Sequence, residues 1–137
     1  MFREMLQGKI HRGVITACRI DYEGSLTVDL DLIERIGLLV HQKIQLLNIS
    51  NGNRLETYLI AGERGSGVIG VNGAAAHLAE VGHLVIIISY AQLTDEEARA
   101  FEPTVVHVDA GNRIIAVDAD PAGAHTAGLS RPPFALS

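Results

Sequence analysis

Gly24-Ser25, inside Tyr22-Glu23-Gly24-Ser25, is where this 137-residue chain could do chemistry on its own backbone. Glycine tolerates strained conformations that expose its carbonyl. The hydroxyl of the following serine can attack that carbonyl and exchange the amide for an ester. Gly-Ser also occurs in ordinary turns, and that is the competing reading. Further groups give the pair a context. Arg54, Thr57 and Tyr58 fall together in Asn53-Arg54-Leu55-Glu56-Thr57-Tyr58. Asn72-Gly73-Ala74-Ala75-Ala76 reads as a helix start whose free N–H groups attract an anion. Lys9 and His11 share one face of a strand. Fixed cations, an anion nest and a phenol suit a small dicarboxylate. Taken singly, the same residues are an exposed arginine, a strand threonine, an interfacial tyrosine and an Ala-rich helix.

Other candidates carry less. Gly65-Ser66-Gly67-Val68-Ile69-Gly70 fits G-x-G-x-x-G, but a dinucleotide site needs a helix to open there. Val68, Ile69 and Val71 favour extended structure instead, so a Gly-rich loop and bulge is expected. The six histidines (His11, His41, His77, His83, His107, His125) form no H-x-x-x-H pair, and no metal site is expected. Cys18 reads as a small buried hydrophobe. Asp95-Glu96-Glu97 reads as a solvated first helical turn.

The elements that must position these residues are mostly strands. Lys9 to Arg19 and Leu26 to Val28 are rich in extended-structure formers. Lys43 to Ile49 and Arg54 to Ala61 flank Asn51-Gly52, whose positive φ preference predicts a hairpin. Gly67 to Val71, the apolar run Leu84 to Ser89, and the pair Thr104 to Val108 with Arg113 to Val117 complete the set. Short helices are expected from Asp31 to Gly37, over Ala74 to Ala79, and after the capping box at Thr94. In a flat strand Arg54, Glu56 and Tyr58 face one way and Thr57 the other, so Thr57 and Tyr58 cannot serve one pocket without a bulge, strong twist or shared site. Many strands and few short helices predict a mainly β fold, a compact barrel.

Composition bounds the rest. The chain is 47% hydrophobic and 20% charged, enough for a packed core. A net charge of −5 argues against nucleic acid or a polybasic membrane contact. One cysteine excludes an internal disulfide framework and suits a reducing compartment. No run is long enough to span a bilayer, and Met1-Phe2-Arg3-Glu4 does not resemble a signal peptide, so a cytoplasmic location is expected. Residues 1–118 read as one domain. Residues 119–137, rich in Ala, Gly, Pro and Asp, read as a flexible C-terminal tail.

Several segments in register resemble the pyruvoyl-dependent L-aspartate α-decarboxylases. They are Met5-Leu6-Gln7-Gly8-Lys9-Ile10-His11-Arg12, Tyr22-Glu23-Gly24-Ser25, Ile49-Ser50-Asn51-Gly52 with Arg54, Thr57 and Tyr58, and Ala61-Gly62-Glu63-Arg64-Gly65-Ser66-Gly67. Val71-Asn72-Gly73-Ala74-Ala75-Ala76-His77 and Asp95-Glu96-Glu97-Ala98-Arg99 extend the likeness over about residues 1 to 105. Leu47 stands where some members carry an aromatic residue.

The resemblance implies a double-psi β-barrel with a few short helices, assembled as a homotetramer with active sites between subunits. It implies autocatalytic cleavage between Gly24 and Ser25, giving a β chain of residues 1–24 and an α chain of residues 25–137. Ser25 becomes a covalent pyruvoyl group that forms a Schiff base with L-aspartate; no metal and no pyridoxal phosphate are implied. Decarboxylation yields β-alanine for pantothenate and coenzyme A biosynthesis. Thr57 is implied as donor to the Gly24 carbonyl during processing, with His11 a second aid. Tyr58 is the candidate proton donor. Lys9, Arg54, Thr57, Asn72, Gly73, Ala74 and Ala75 are the candidate substrate contacts, and Arg54 is expected to prefer the carboxylate that stays. A maturation helper protein is a further candidate partner. The alternative is a non-catalytic β-barrel that binds a small anion, with Ser25 an ordinary turn residue.

Overall fold

The structure, a computed structural model, describes residues 1–120. Nine strands form one mixed sheet: β1 (Phe2–Val14), β2 (Ala17–Arg19), β3 (Ser25–Asp29), β4 (Lys43–Asn48), β5 (Arg54–Gly62), β6 (Ile69–Asn72), β7 (Leu84–Thr94), β8 (Thr104–Val108) and β9 (Ile114–Asp118). Their order is β2-β6-β3-β5-β4-β7-β1-β8-β9. Two α-helices are short, α1 (Leu30–Arg35) and α2 (Asp95–Ala100), and Gly73–Leu78 forms a 3-10 helix. The expected mainly β fold is the one found. The tail expected at residues 119–137 lies, from 121 onward, outside the described residues.

The sheet curls into a barrel because β1 and β2 are one continuous piece of chain. Ile15 bonds to Gly82 and His83 before β7, and the next residue, Thr16, bonds to Ile69 of β6. The order β2-β6-β3-β5-β4-β7-β1 therefore returns on itself. A bend in β1 permits this: the register with β7 shifts between Ile10 and Gly13, and Arg12 there takes φ +63. Ile10, Ile15, Leu26, Val28, Ile44, Leu46, Leu59, Ile69, Val71, Val85 and Ile87 point inward and fill the core. Removing that much apolar surface from water is the main force holding the closed sheet.

Two anchors brace the loops around the core. Asp29 is buried, caps α1 through Asp31 N–H, and accepts from Gly65 N (3.1 Å) and Gly67 N (2.9 Å). The Gly65–Gly70 segment thus closes on a carboxylate and then runs into β6, as the loop reading expects. Asn112 is buried too, and its amide bridges Val14 N, Val14 O and Gly67 O at 2.7–2.8 Å.

The structure differs from the sequence reading in length more than in kind. Strand β1 begins at Phe2 rather than Lys9, because Phe2 to Leu6 pair with Thr94 to Tyr90 of β7. Helix α1 is capped by Asp29, two residues ahead of the expected start, and its exit uses Gly37 at φ +77. In the β4–β5 hairpin only Gly52 takes positive φ. The helix expected over Ala74 to Ala79 is a 3-10 turn starting at Gly73. The capping box at Thr94 forms as expected. No helix among the described residues is long and apolar enough to cross a membrane.

Candidate active site

Ser25 opens β3 and is buried. It pairs directly with Asn72, the last residue of antiparallel β6. The Asn72 amide, also buried, donates to Ser25 Oγ at 3.0 Å and to Thr27 Oγ1 at 2.9 Å. Ser25 Oγ in turn donates to the Glu23 carbonyl at 3.3 Å. The Asn72 side chain does not cap the 3-10 helix that follows; it is spent on the two hydroxyls.

Gly73 sits at φ +73, and a Cβ there would stand 2.7 Å from Gly24 Cα and N and 3.0 Å from the Tyr22 carbonyl. The chain entering the scissile bond, from the Tyr22 carbonyl to Gly24 Cα, is thus laid against a residue with no room for a side chain. A Cβ at Gly24 itself would meet nothing within 4 Å, so one side of that residue is open.

Ser25 lines a cleft of about 400 Å³ with Asp21, Tyr22, Glu23, Tyr58 and Ile60. Tyr58 is brought there by the parallel pairing of β3 with β5, in which Leu26 faces Leu59. The Tyr58 ring also meets His41 edge-on, with centroids 6.4 Å apart. The lining carries two carboxylates and no cation.

The cations gather elsewhere. A second cleft of about 410 Å³ is lined by Arg54, Lys43, Glu4, Gln45, Glu56, Ile44, Ile88 and Tyr90. Arg54 Nη2 donates to Gln45 Oε1 at 3.4 Å, and Gln45 Nε2 donates to Glu56 Oε2 at 3.4 Å. The Gln45 amide and the Lys43 ammonium, 3.3 Å away, hold the Glu56 carboxyl below the usual carboxylate range. Lys9 shares this region, since it pairs with Ile88, which pairs with Gln45. Burial lowers the Lys9 pKa, and the Asp118 carboxylate partly restores it.

Arg54 and Tyr58 leave the same face of β5, four residues apart. At about 3.3 Å per residue they are roughly 13 Å apart along the strand, too far for one small ligand to bridge within a chain. Thr57 points to the other face, level with Ile44, and lines neither cleft. Ala74 is exposed and Ala75 half-buried next to Gly73. His11 is buried on β1, its ring edge-on to His107 at 5.5 Å, and His107 Nε2 lies 3.0 Å from Asp118 Oδ2. The structure therefore joins Ser25, Gly24, Tyr58, Asn72 and Gly73. It places Lys9 and Arg54 on a second surface, and His11 and Thr57 away from both.

Thr27 was missed by the sequence reading. Its signal was present: residues two apart on a strand share a face, so Ser25 and Thr27 must. No group of three or more His, Cys, Asp or Glu side chains among the described residues could hold a metal ion.

Residues 1–115 match the aspartate decarboxylase family. The chain belongs to that family, and its activity is the decarboxylation of aspartate to β-alanine, a carboxy-lyase reaction.

Proposed function

We propose that this decarboxylase makes its own reactive carbonyl from Ser25, as the pyruvoyl-dependent members of its family do. The observation that carries the reading is the cradle at Gly73, which admits the N and Cα of Gly24, the residue that bears the scissile carbonyl, only because it lacks a Cβ. A buried Ser25 hydroxyl with an amide donor on its oxygen is the second support.

Processing balances as follows. Ser25 Oγ bonds to the Gly24 carbonyl carbon and the C–N bond breaks, leaving an ester and a free amine that takes the hydroxyl proton. A base removes the Ser25 α-proton and the Cβ–Oγ bond breaks, so Oγ leaves in the Gly24 carboxylate. Water hydrolyses the dehydroalanine left at position 25 to a ketone, with loss of ammonia. The chain ends as residues 1–24 and 25–137. Charge builds on the Gly24 oxygen in the first step, where one placed donor is worth about 3 kcal/mol. Thr57 is the candidate donor and His11 a second aid; for both, the support is the family resemblance.

The new carbonyl supplies an electron sink for the charge that the departing carboxylate leaves behind. The chain's own residues do the rest. Tyr58, in the Ser25 cleft, delivers a proton to the former α-carbon. Asn72, Gly73, Ala74 and Ala75 border the substrate at the same end. Arg54 grips the carboxylate that is kept, with Lys9 adding positive charge. Holding the departing carboxylate instead would stabilise the ground state.

The Ser25 cleft offers a dicarboxylate no cation, and Arg54 is out of reach along β5. Both facts support a site completed by Arg54 and Lys9 of a neighbouring copy; for a homotetramer and for the cytoplasm the support is the family resemblance. β-Alanine for pantothenate is the corresponding role, and cleavage is either spontaneous or assisted by a helper protein.

Reduction with borohydride in the presence of aspartate tests the proposal. A substrate-derived mass increment confined to the fragment that starts at residue 25 is expected. Activity with no increment there would overturn it.

A further inference from the structure

We infer that Thr27 is a positioning residue for backbone self-cleavage, acting through the Asn72 amide on Ser25 Oγ. The inference rests on the self-processing reading above and names a residue that reading does not use.

Asn72 has two amide hydrogens, and the structure assigns one to Ser25 Oγ (3.0 Å) and the other to Thr27 Oγ1 (2.9 Å). The amide is buried in the pairing of β3 with β6, where an unpaired N–H is costly. Thr27 therefore fixes which end of the amide faces the serine. Without its oxygen, nothing on that side favours nitrogen over oxygen.

The Thr27 rotamer is itself held. Thr27 lies opposite Ile60 on β5 and Gly70 on β6. A Cβ at Gly62 would come within 3.2 Å of Thr27 Cγ2, and one at Gly70 within 3.6 Å of Thr27 Cβ. Gly62 thus makes room for the threonine methyl, Gly70 lies at ordinary contact distance, and the hydroxyl is left on the Asn72 side. A threonine fits better than a serine only in filling this space; the oxygen is what the amide needs.

The consequence falls on one chemical step. When the ester is eliminated, the Cβ–Oγ bond breaks and negative charge develops on Oγ as it leaves in the Gly24 carboxylate. Asn72 N–H already points at that oxygen. Losing the donor should slow elimination more than ester formation, so uncleaved chains should accumulate as ester.

The test follows conversion of freshly refolded full-length chain into its two fragments, with hydroxylamine added to reveal ester at residue 24. Thr27→Val should cleave about tenfold more slowly than wild type, with a larger hydroxylamine-labile fraction among uncleaved chains. Thr27→Ser, which keeps the oxygen, should cleave at close to the wild-type rate. If Thr27→Val does not fold, Thr27→Ser and Thr27→Ala carry the same comparison: Ala slow with ester, Ser normal. Wild-type cleavage rates in both Val and Ala variants would overturn the inference. So would slowing of Thr27→Ser to the same extent, which marks a packing role. A wild-type chain that never cleaves would instead overturn the self-processing reading.

Discussion

Gly73 and Gly24 are packed so closely that a Cβ on Gly73 would stand 2.7 Å from the Cα of Gly24. The contact joins the end of β6 to the residue before β3, so Gly24, whose carbonyl is the one attacked, is packed onto the turn that starts the 3-10 helix. Gly73→Ala meets both a clash with backbone and a positive φ that alanine resists, the latter worth about 1–3 kcal/mol. Cleavage between residues 24 and 25 is expected to stop or slow at least a hundredfold. Gly82→Ala is the control: it also has positive φ (+94) but its Cβ would meet nothing within 4 Å. It should lose only the stability that the positive φ costs, about 1–3 kcal/mol, yet cleave normally, as denaturing electrophoresis would show.

Tyr58→Phe removes the phenol from the Ser25 cleft while keeping the ring beside His41. The variant should fold and cleave, then turn over 10²- to 10⁴-fold more slowly, the usual range for a lost general acid. Turnover per chain carrying a titratable ketone is the measurement. Wild-type turnover would remove Tyr58 from the proton transfer.

Arg54→Lys should leave self-cleavage intact, since Arg54 is assigned to holding the substrate carboxylate and to no step of processing. It should raise KM for aspartate at least tenfold, because an ammonium cannot make the paired bonds of a guanidinium. Lost turnover with unchanged aspartate binding would refute the assignment. Mixing Arg54→Ala chains with Ser25→Ala chains should restore part of the activity that each lacks, if sites are shared between copies.

Lys9 gives a pH dependence of defined sign. Burial lowers its pKa from the ordinary 10.5, against an opposing pull from Asp118. Between the lowered value and 10.5 the unfolded chain holds more protons at this site, so stability rises with pH across that window. Below the window the charged side chain is a cost. Lys9→Met should therefore melt slightly higher than wild type near neutral pH, and the gap should close as pH approaches 10.5. A Met variant that melts lower at neutral pH would contradict this.

Much of the architecture is written in local pattern. β4 and β5 show their extended runs and Gly52 their turn; Thr94 with Glu97 announces α2. What was not legible depends on distant partners. Residues 2 to 6 carry no strong strand pattern of their own and are extended because β7 runs on to Thr94 beside them. His11 meets His107 only through the parallel pairing of β1 with β8. The site divides in the same way. Gly24-Ser25 and Tyr58 could be singled out by residue type, and the opposite facing of Thr57 and Tyr58 followed from strand geometry. The separation of Arg54 from Ser25 needed the sheet order. So did the link from Thr27 through Asn72 to Ser25, which spans two strands far apart in sequence.

Intact-mass spectrometry of the purified, active protein tests the central claim most directly. Self-cleavage predicts two species, residues 1–24 with a free carboxylate and residues 25–137 with a ketone in place of the serine amine and hydroxyl. A single active species with the mass of the unbroken 137-residue chain and an intact Ser25 would contradict it.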